Sequence, residues 1–232
     1  MAKLNEWMSV SDLMTGLMII FLFITVAYMK RVKDTQNVLV DYVETRQKLH
    51  DELDKAFKYD TQHGDLELGN DLSMKFNNTS SLFPLGRWEL TQDFENKLNE
   101  FLPRYLTILV NSKFSDEIVE IRIEGHTDSL AYYSLDSDPY IANTILSQRR
   151  ALEVLKYMRK LPVYQSFSDE QKRKLDFWFT ANGFSYGKAL DKDANFTYES
   201  RKPIDGEKSR RVEFRIITRG DDVLVDFVKQ NQ

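Results

Sequence analysis

The run SVSDLMTGLMIIFLFITVAYMK, Ser9 to Lys30, holds one carboxylate, Asp12, at the head of an otherwise apolar stretch. An ionised carboxylate in hydrocarbon costs roughly 2.5–3.5 kcal/mol even on lenient insertion scales. Two uses account for such a group. One is titration, neutral in one state and charged in another. The other is capping the start of a helix at the membrane surface. Gly16 lies one turn along the same face and lets a neighbouring helix approach, while Ser11 and Thr15 offer polar packing.

Other candidate groups point away from catalysis. His126 invites a metal reading, but the chain has only three histidines and no second ligand stands at helical or hairpin spacing. A packed or capping histidine and no metal are expected there. Asp191, Asp193 and Asn195 copy the first three ligands of a calcium loop. Phe196 stands where that loop requires glycine and Lys202 where the bidentate glutamate belongs, so a solvated loop is expected. No serine, histidine and carboxylate set and no phosphate-cradling glycine loop occurs. Neither an enzyme nor a cofactor is expected.

These groups sit on a chain of 232 residues, enough for one domain and further elements. A formal net charge of -4, a pI near 5.5 and the lack of a basic block argue against nucleic acid as a partner. There is no cysteine, hence no disulfide or thiolate metal site. Residues 7–29, after a short tail over 1–6, are long and apolar enough for a transmembrane helix. A cleaved signal peptide would need basic residues before a shorter core and a small-x-small site after it. Only Lys3 precedes this core and YMKRVK follows it. Lys30, Arg31 and Lys33 outnumber Lys3, so charge alone places the C-terminal side in the cytoplasm.

Residues 30–57 read as a helix without Gly or Pro, within a stalk and linker over 30–64. Val32, Leu39, Arg46 and Leu53 with Thr35, Tyr42, Leu49 and Ala56 form a mostly apolar seam. It fits either a coiled coil or a single amphipathic helix lying on another surface. HGDLELGNDL interrupts it, and a strand follows over Asp71 to Phe76. Phe94, Leu98, Phe101, Leu102 and Leu106 predict a helix from Thr91 to Val110, with Pro103 inside it. EIVEIRIEGH predicts a strand, and a helix is expected over Tyr140 to Leu161. DFWFTANGF and RRVEFRIITR predict two more strands, with a short helix possible over Ser168 to Leu175 and another over DVLVDFVKQNQ. The order implies an α+β domain with helices packed on one face of a mixed sheet.

Three blocks in order, IEGHTD (Ile123 to Asp128), Asn143 with LSQRRA (Leu146 to Ala151), and RRVEF (Arg210 to Phe214), resemble the peptidoglycan-binding OmpA-like domain. The resemblance runs from about Leu66 to Ile217, giving a domain over 65–219 and a tail over 220–232. It implies that Asp128 and Arg150 clamp the diaminopimelate of the peptide stem. The chemistry suits the ligand, whose zwitterionic end offers an ammonium to a carboxylate and a carboxylate to a guanidinium. Thr127 and Asn143 match hydrogen-bonding positions, and Arg210 and Arg211 match a basic pair near the pocket. Two departures stand out: the loop over 129–142 is longer than usual, and Ser209 replaces the common Asn. The long loop could cover, reshape or block the groove.

An apolar helix with one Asp near its start, a stalk and an OmpA-like domain together resemble the B subunits of ion-driven motors. The short tail before SDLMTGLMIIFLFI is more similar to the B subunit of Zorya anti-phage systems than to the flagellar stator B subunit. The resemblance implies a homodimer inside a pentameric ring of A subunits in the bacterial inner membrane, driven by protons that Asp12 carries. It also implies a cytoplasmic N-terminus and a periplasmic, peptidoglycan-bound C-terminal domain, against the charge rule. The alternatives are a flagellar-type stator subunit and a passive envelope tether in which Asp12 only caps the helix.

Overall fold

The computed structural model describes residues 2–64, 66–76, 82–130 and 135–221, and the backbone alone for 2–12 and 34–42. The side chain of Asp12 and the helix expected over DVLVDFVKQNQ therefore lie outside the described residues. A single helix, α1, runs over Ala2–Gln62. Within it Leu13–Lys33, 21 residues, is apolar and long enough to cross a membrane, and its side chains are exposed. The chain divides into two compact units, residues 1–45 and 46–232.

In the second unit the end of α1 lies on the domain. Leu49, Leu53 and Phe57 recur at helical spacing and are 2 %, 0 % and 0 % exposed in the common core. Arg104 locks this segment with paired hydrogen bonds to the Asp60 carboxylate (2.8 and 3.0 Å) and one to the Ala56 carbonyl (3.0 Å). Its guanidinium also rests 4.6 Å from the centre of the Phe57 ring. Of the two readings open for the stalk, residues 46–62 follow the amphipathic helix on a surface. The compact unit begins at Arg46, ahead of the boundary that the sequence suggested at residue 65.

The remaining elements are β1 (Glu67–Leu68), β2 (Ser73–Phe76), α2 (Gln92–Leu109), β3 (Ile118–His126), α3 (Pro139–Lys160), α4 (Asp169–Trp178), β4 (Phe179–Gly183) and β5 (Arg211–Thr218). One-turn helices occupy Pro162–Ser166, Thr197–Ser200 and Gly206–Ser209. The sheet order is β1-β2-β5-β3-β4. All neighbours are antiparallel except β3 and β4, whose parallel pairing is made possible by the α3–α4 crossover. The expected α+β class and mixed sheet are what the chain forms.

Strand alternation gives the sheet two unlike faces. Met74, Phe76, Ile121, Ile123, Val212, Phe214 and Ile216 form an apolar face. Phe101 of α2 sits on it, its ring 5.0 Å from Phe76, 5.1 Å from Phe214 and 5.0 Å from Phe57. Glu124, His126, Arg211, Glu213 and Arg215 alternate onto the other face.

Two boundaries differ from expectation. α4 continues through Asp176 and Phe177 to Trp178, so β4 starts at Phe179, inside the run DFWFTANGF. The Ser168–Gln171 capping box starts that helix, and burial of Leu175 and Trp178 holds it against the β propensity of the aromatic run. β1, two residues inside HGDLELGNDL, has no periodicity by which to be found; β2 is Ser73–Phe76 within the expected Asp71 to Phe76.

Candidate functional site

Glycines bring the motif blocks together. A Cβ added at Gly125 of IEGHTD would lie 2.1 Å from the carbonyl oxygen of Ser147, and one at Gly183 would lie 2.5 Å from the backbone nitrogen of Gln148. The backbone of α3 therefore rests directly on β3 and β4. Beyond the strand ends the pairing continues, with Phe184 N–H donating to the Gly125 carbonyl and Thr127 N–H to the Ser185 carbonyl, both at 3.0 Å. Ser147 Oγ accepts the buried Ser185 N–H (3.1 Å), fixing helix and strand to one another. At the far end of the loop, Asp138 caps α3 by accepting from Tyr140 N–H (2.8 Å), and Pro139 takes the first helical position.

Asp128 emerges from this corner, buried and bonded on both oxygens. Its Oδ1 accepts from Leu130 N–H (3.1 Å), and its Oδ2 accepts from Arg210 Nη1 (2.6 Å). Asn143 reaches back from α3, its Nδ2 donating to the carbonyls of Leu130 (2.7 Å) and Pro139 (3.0 Å). It thus closes the base of the long loop, of which residues 131–134 lie outside the described residues. Among the described residues, the Asn143 Oδ1 and Thr127 Oγ1 are buried without a hydrogen-bond partner. Such groups are costly unless something completes them.

Arg150 is anchored elsewhere in the described residues. Its Nε donates to the Arg87 carbonyl (2.9 Å), and its guanidinium lies 4.9 Å from the centre of the Phe83 ring. The structure thus joins Asp128 to Arg210 and, through Leu130, to Asn143, and ties Arg150 to the loop ahead of α2. Arg211 belongs to the other sheet face. It is buried, pairs with Glu213 and donates to the carbonyls of Lys188 (3.3 Å) and Ser209 (3.2 Å). Ser209 is buried too, its hydroxyl accepting from Leu190 N–H (2.9 Å) and so pinning the preceding loop.

That other face carries a charge cluster missed by spacing along the chain. Glu124, His126 and Glu213 are each about 1 % exposed or less, and their ligating atoms lie within 4.8 Å of one another. The register pairs Glu124 with Glu213 and His126 with Arg211, which no local spacing reveals. Arg211 and Arg215 occupy the two Glu213 oxygens, and Arg215 Nε lies 3.3 Å from Glu124 Oε1. Asp71 also pairs with Arg215. With two guanidiniums already on the carboxylates, the arrangement is an ion-pair network before it is a cation site.

The His126 ring stacks on Phe184 at 5.3 Å, and burial pushes its imidazole down to about 4. Burial alone would push the Glu213 carboxyl up. Arg211, His126 and Arg215 outweigh that and hold it below the usual carboxylate range. A cavity of about 710 Å³ opens over this face, lined by Asp71, Lys75, Phe196, Arg211, Glu213 and Arg215 among others. Neither Asp128 nor Arg150 lines it. At the loop that mimics a calcium site, Asp191 is buried rather than solvated, its Oδ1 accepting from Asp193 N–H (2.9 Å) and Asn195 N–H (3.0 Å).

No family model matches the chain. Zorya protein ZorB of Escherichia coli (strain ATCC 8739) is 35% identical over 223 residues, covering 94% of this chain and 89% of that protein. The chain belongs to the Zorya protein ZorB family. Among solved structures, a protein described as MotB-like from Desulfovibrio vulgaris is 18% identical with a TM-score of 0.52. It covers 78% of this chain and 99% of that one, and it carries the fold. A periplasmic domain of Helicobacter pylori MotB is 17% identical, covers 72% of this chain and 89% of that one, and has a TM-score of 0.42. In this ZorB-family chain the corner built by Gly125, Asp128 and α3 is thus part of an α+β fold shared with that MotB-like structure, and the apolar segment of α1 fits a single membrane pass.

Proposed function

We propose that this ZorB-family chain is the wall-anchored B subunit of a proton-driven rotary motor of the inner membrane, acting in anti-phage defence. The observation that carries the reading is the 35% identity over 94% of the chain, an extent that reaches from the membrane segment into the folded domain. Asp12 is the ion carrier, protonated on one side of the membrane and discharged on the other. The transmembrane potential supplies roughly 2.3 kcal/mol per charge per 100 mV to such a cycle. Two copies sit inside a pentameric ring of the A subunit, with the N-terminus cytoplasmic and the domain periplasmic. The chain itself performs no covalent chemistry.

Asp128 and Arg150 hold the two charged ends of diaminopimelate in the peptide stem. Arg210 is the counter-ion that a ligand ammonium would relieve, since it already occupies Asp128 Oδ2. Thr127 Oγ1 and Asn143 Oδ1, buried and without a partner among the described residues, support a ligand at this corner. Arg211, expected in the basic pair, donates to the Ser209 carbonyl and so ties down the turn that leads into Arg210.

The decisive variant is Asp12→Asn, nearly isosteric but unable to ionise, expressed with its genomic neighbours and challenged with phage. Protection is expected to vanish while membrane level and detergent-extracted complex size stay unchanged. Full protection would sink the ion-motor reading and leave a passive tether with Asp12 as a helix cap.

A further inference from the structure

The buried cluster on the second sheet face has one side that its arginines leave open. Strand pairing assembles it: Glu124 stands opposite Glu213 and His126 opposite Arg211, while Glu124 and His126 share a face of β3. His126 Nε2 lies 3.6 Å from Glu124 Oε2 and 3.8 Å from Glu213 Oε1, both too long for a hydrogen bond. Neither nitrogen of His126 and neither oxygen of Glu124 makes a hydrogen bond among the described residues, although all four atoms are buried. Arg215 approaches Glu124 from its Oε1 side at 3.3 Å and takes Glu213 Oε2 at 2.9 Å. Arg211 Nε takes Glu213 Oε1 at 2.5 Å, and a carboxylate oxygen keeps a second lone pair.

With its proton on Nδ1, His126 adds a third lone pair to those of the two carboxylates, and the ligating atoms of the three residues lie within 4.8 Å of one another. Buried lone pairs that converge without a donor are costly. A proton shared among them would relieve the cost, but burial disfavours the charged ring. A metal ion relieves it with the ring neutral, which is the ligating form of imidazole. The separations suit one: bonds of roughly 2.0–2.2 Å around a tetrahedral ion set the ligand atoms about 3.4 Å apart, so a small contraction closes the site. Charge suits it too. Glu124, Glu213 and Asp71 oppose only Arg211 and Arg215, which leaves the network short of positive charge.

We propose that Glu124, His126 and Glu213 bind a divalent cation of the zinc type, with water in the fourth position. Imidazole beside carboxylates selects such an ion over calcium and magnesium, which take oxygen ligands. Arg211 and Arg215 hold the carboxylates from outside, as the outer partners of metal ligands do. Cavities of about 710 and 480 Å³ over this face, lined by Glu213 and by Glu124, give the ion a route in. Bound there, it ties β3 to β5 directly behind the corner, two residues from Asp128 and three from Arg210. It braces that corner whatever the corner holds, so the inference stands apart from the stem reading.

The test strips the full detergent-solubilised chain with chelator, dialyses it and adds Zn²⁺. Elemental analysis after gel filtration is expected to find about one zinc per chain, and the melting midpoint to rise with zinc and fall with chelator. His126→Gln and Glu124→Gln are each expected to weaken binding roughly a hundredfold or more. Replacing the other two histidines, His50→Gln with His63→Gln, leaves it unchanged. Where both ligand variants fail to fold, Co²⁺ in the native chain decides: the intense visible absorption of a four-coordinate ion is expected, and the faint bands of an octahedral one overturn the site. No retained zinc, or a midpoint indifferent to zinc and chelator, overturns it and leaves an ion-pair network. Binding that survives His126→Gln, or is lost with His50 and His63, puts the ion elsewhere and overturns it as well.

Discussion

His126 sits with Glu124, Glu213 and two arginines where water barely reaches, so burial disfavours the charged ring and holds it neutral. Its folded value of about 4 lies below the ordinary histidine value of about 6.5. Between these the unfolded chain binds the proton that the folded chain refuses, so stability falls as pH drops through that window. The stabilising contribution is complete above about 6.5, and its loss is bounded at roughly 3 kcal/mol. Thermal melts of the solubilised chain are expected to show a lower midpoint at pH 5 than at pH 7, and His126→Gln is expected to flatten that difference. An unchanged slope in the variant would reassign the pH dependence to other groups. Glu213 acts in a lower window: its carboxyl is held down by Arg211, His126 and Arg215, so its contribution is lost only as acid protonates it below the usual carboxylate range.

At the scale of elements, the contact between β3 and α3 sets the site. Gly125→Ala places a methyl carbon 2.1 Å from the Ser147 carbonyl, where neither backbone can give way cheaply. A loss of roughly 2–3 kcal/mol is expected in denaturant titrations, with binding reduced as α3 shifts. Gly187→Ala meets the flexible tip of Tyr140 at 3.2 Å and is expected to cost far less. Much of this layer was legible in sequence. The apolar period of α2 and α3 located them to within a residue at each end, Gln92–Leu109 against Thr91 to Val110 and Pro139–Lys160 against Tyr140 to Leu161. The motif order gave Asp128, Asn143 and Arg150 their elements. It could not give their partners, because Arg210 reaches Asp128 only through the turn at Gly206–Ser209, and Glu213 meets Glu124 only through strand register. The start of β4 was illegible for another reason: an aromatic run reads as strand until the cap at Ser168 and the burial of Trp178 are known.

For the whole molecule, the end of α1 counts as part of the domain. Leu49, Leu53 and Phe57 are core residues, and deleting such side chains singly costs about 2–5 kcal/mol each. A fragment over 46–232 is therefore expected to melt cooperatively. One over 65–232, which respects the punctuation of the sequence but forfeits those three side chains and the Arg104–Asp60 pair, is expected to melt far lower or remain unfolded. Equal melting of the two fragments would show that the segment is only an adhering helix.

The missing clearance at Gly125 also bears on engineering and descent. A helix pressed onto a bare strand backbone cannot be exchanged by itself, because any replacement must arrive with the strand that has no side chain at that point. IEGHTD and LSQRR are thus one transferable cassette, and a pocket moved between scaffolds has to carry both halves or leave Arg150 displaced. By the same reasoning, drift at residue 125 can be accepted only after α3 has moved away, so the two blocks are expected to change together or remain as they are.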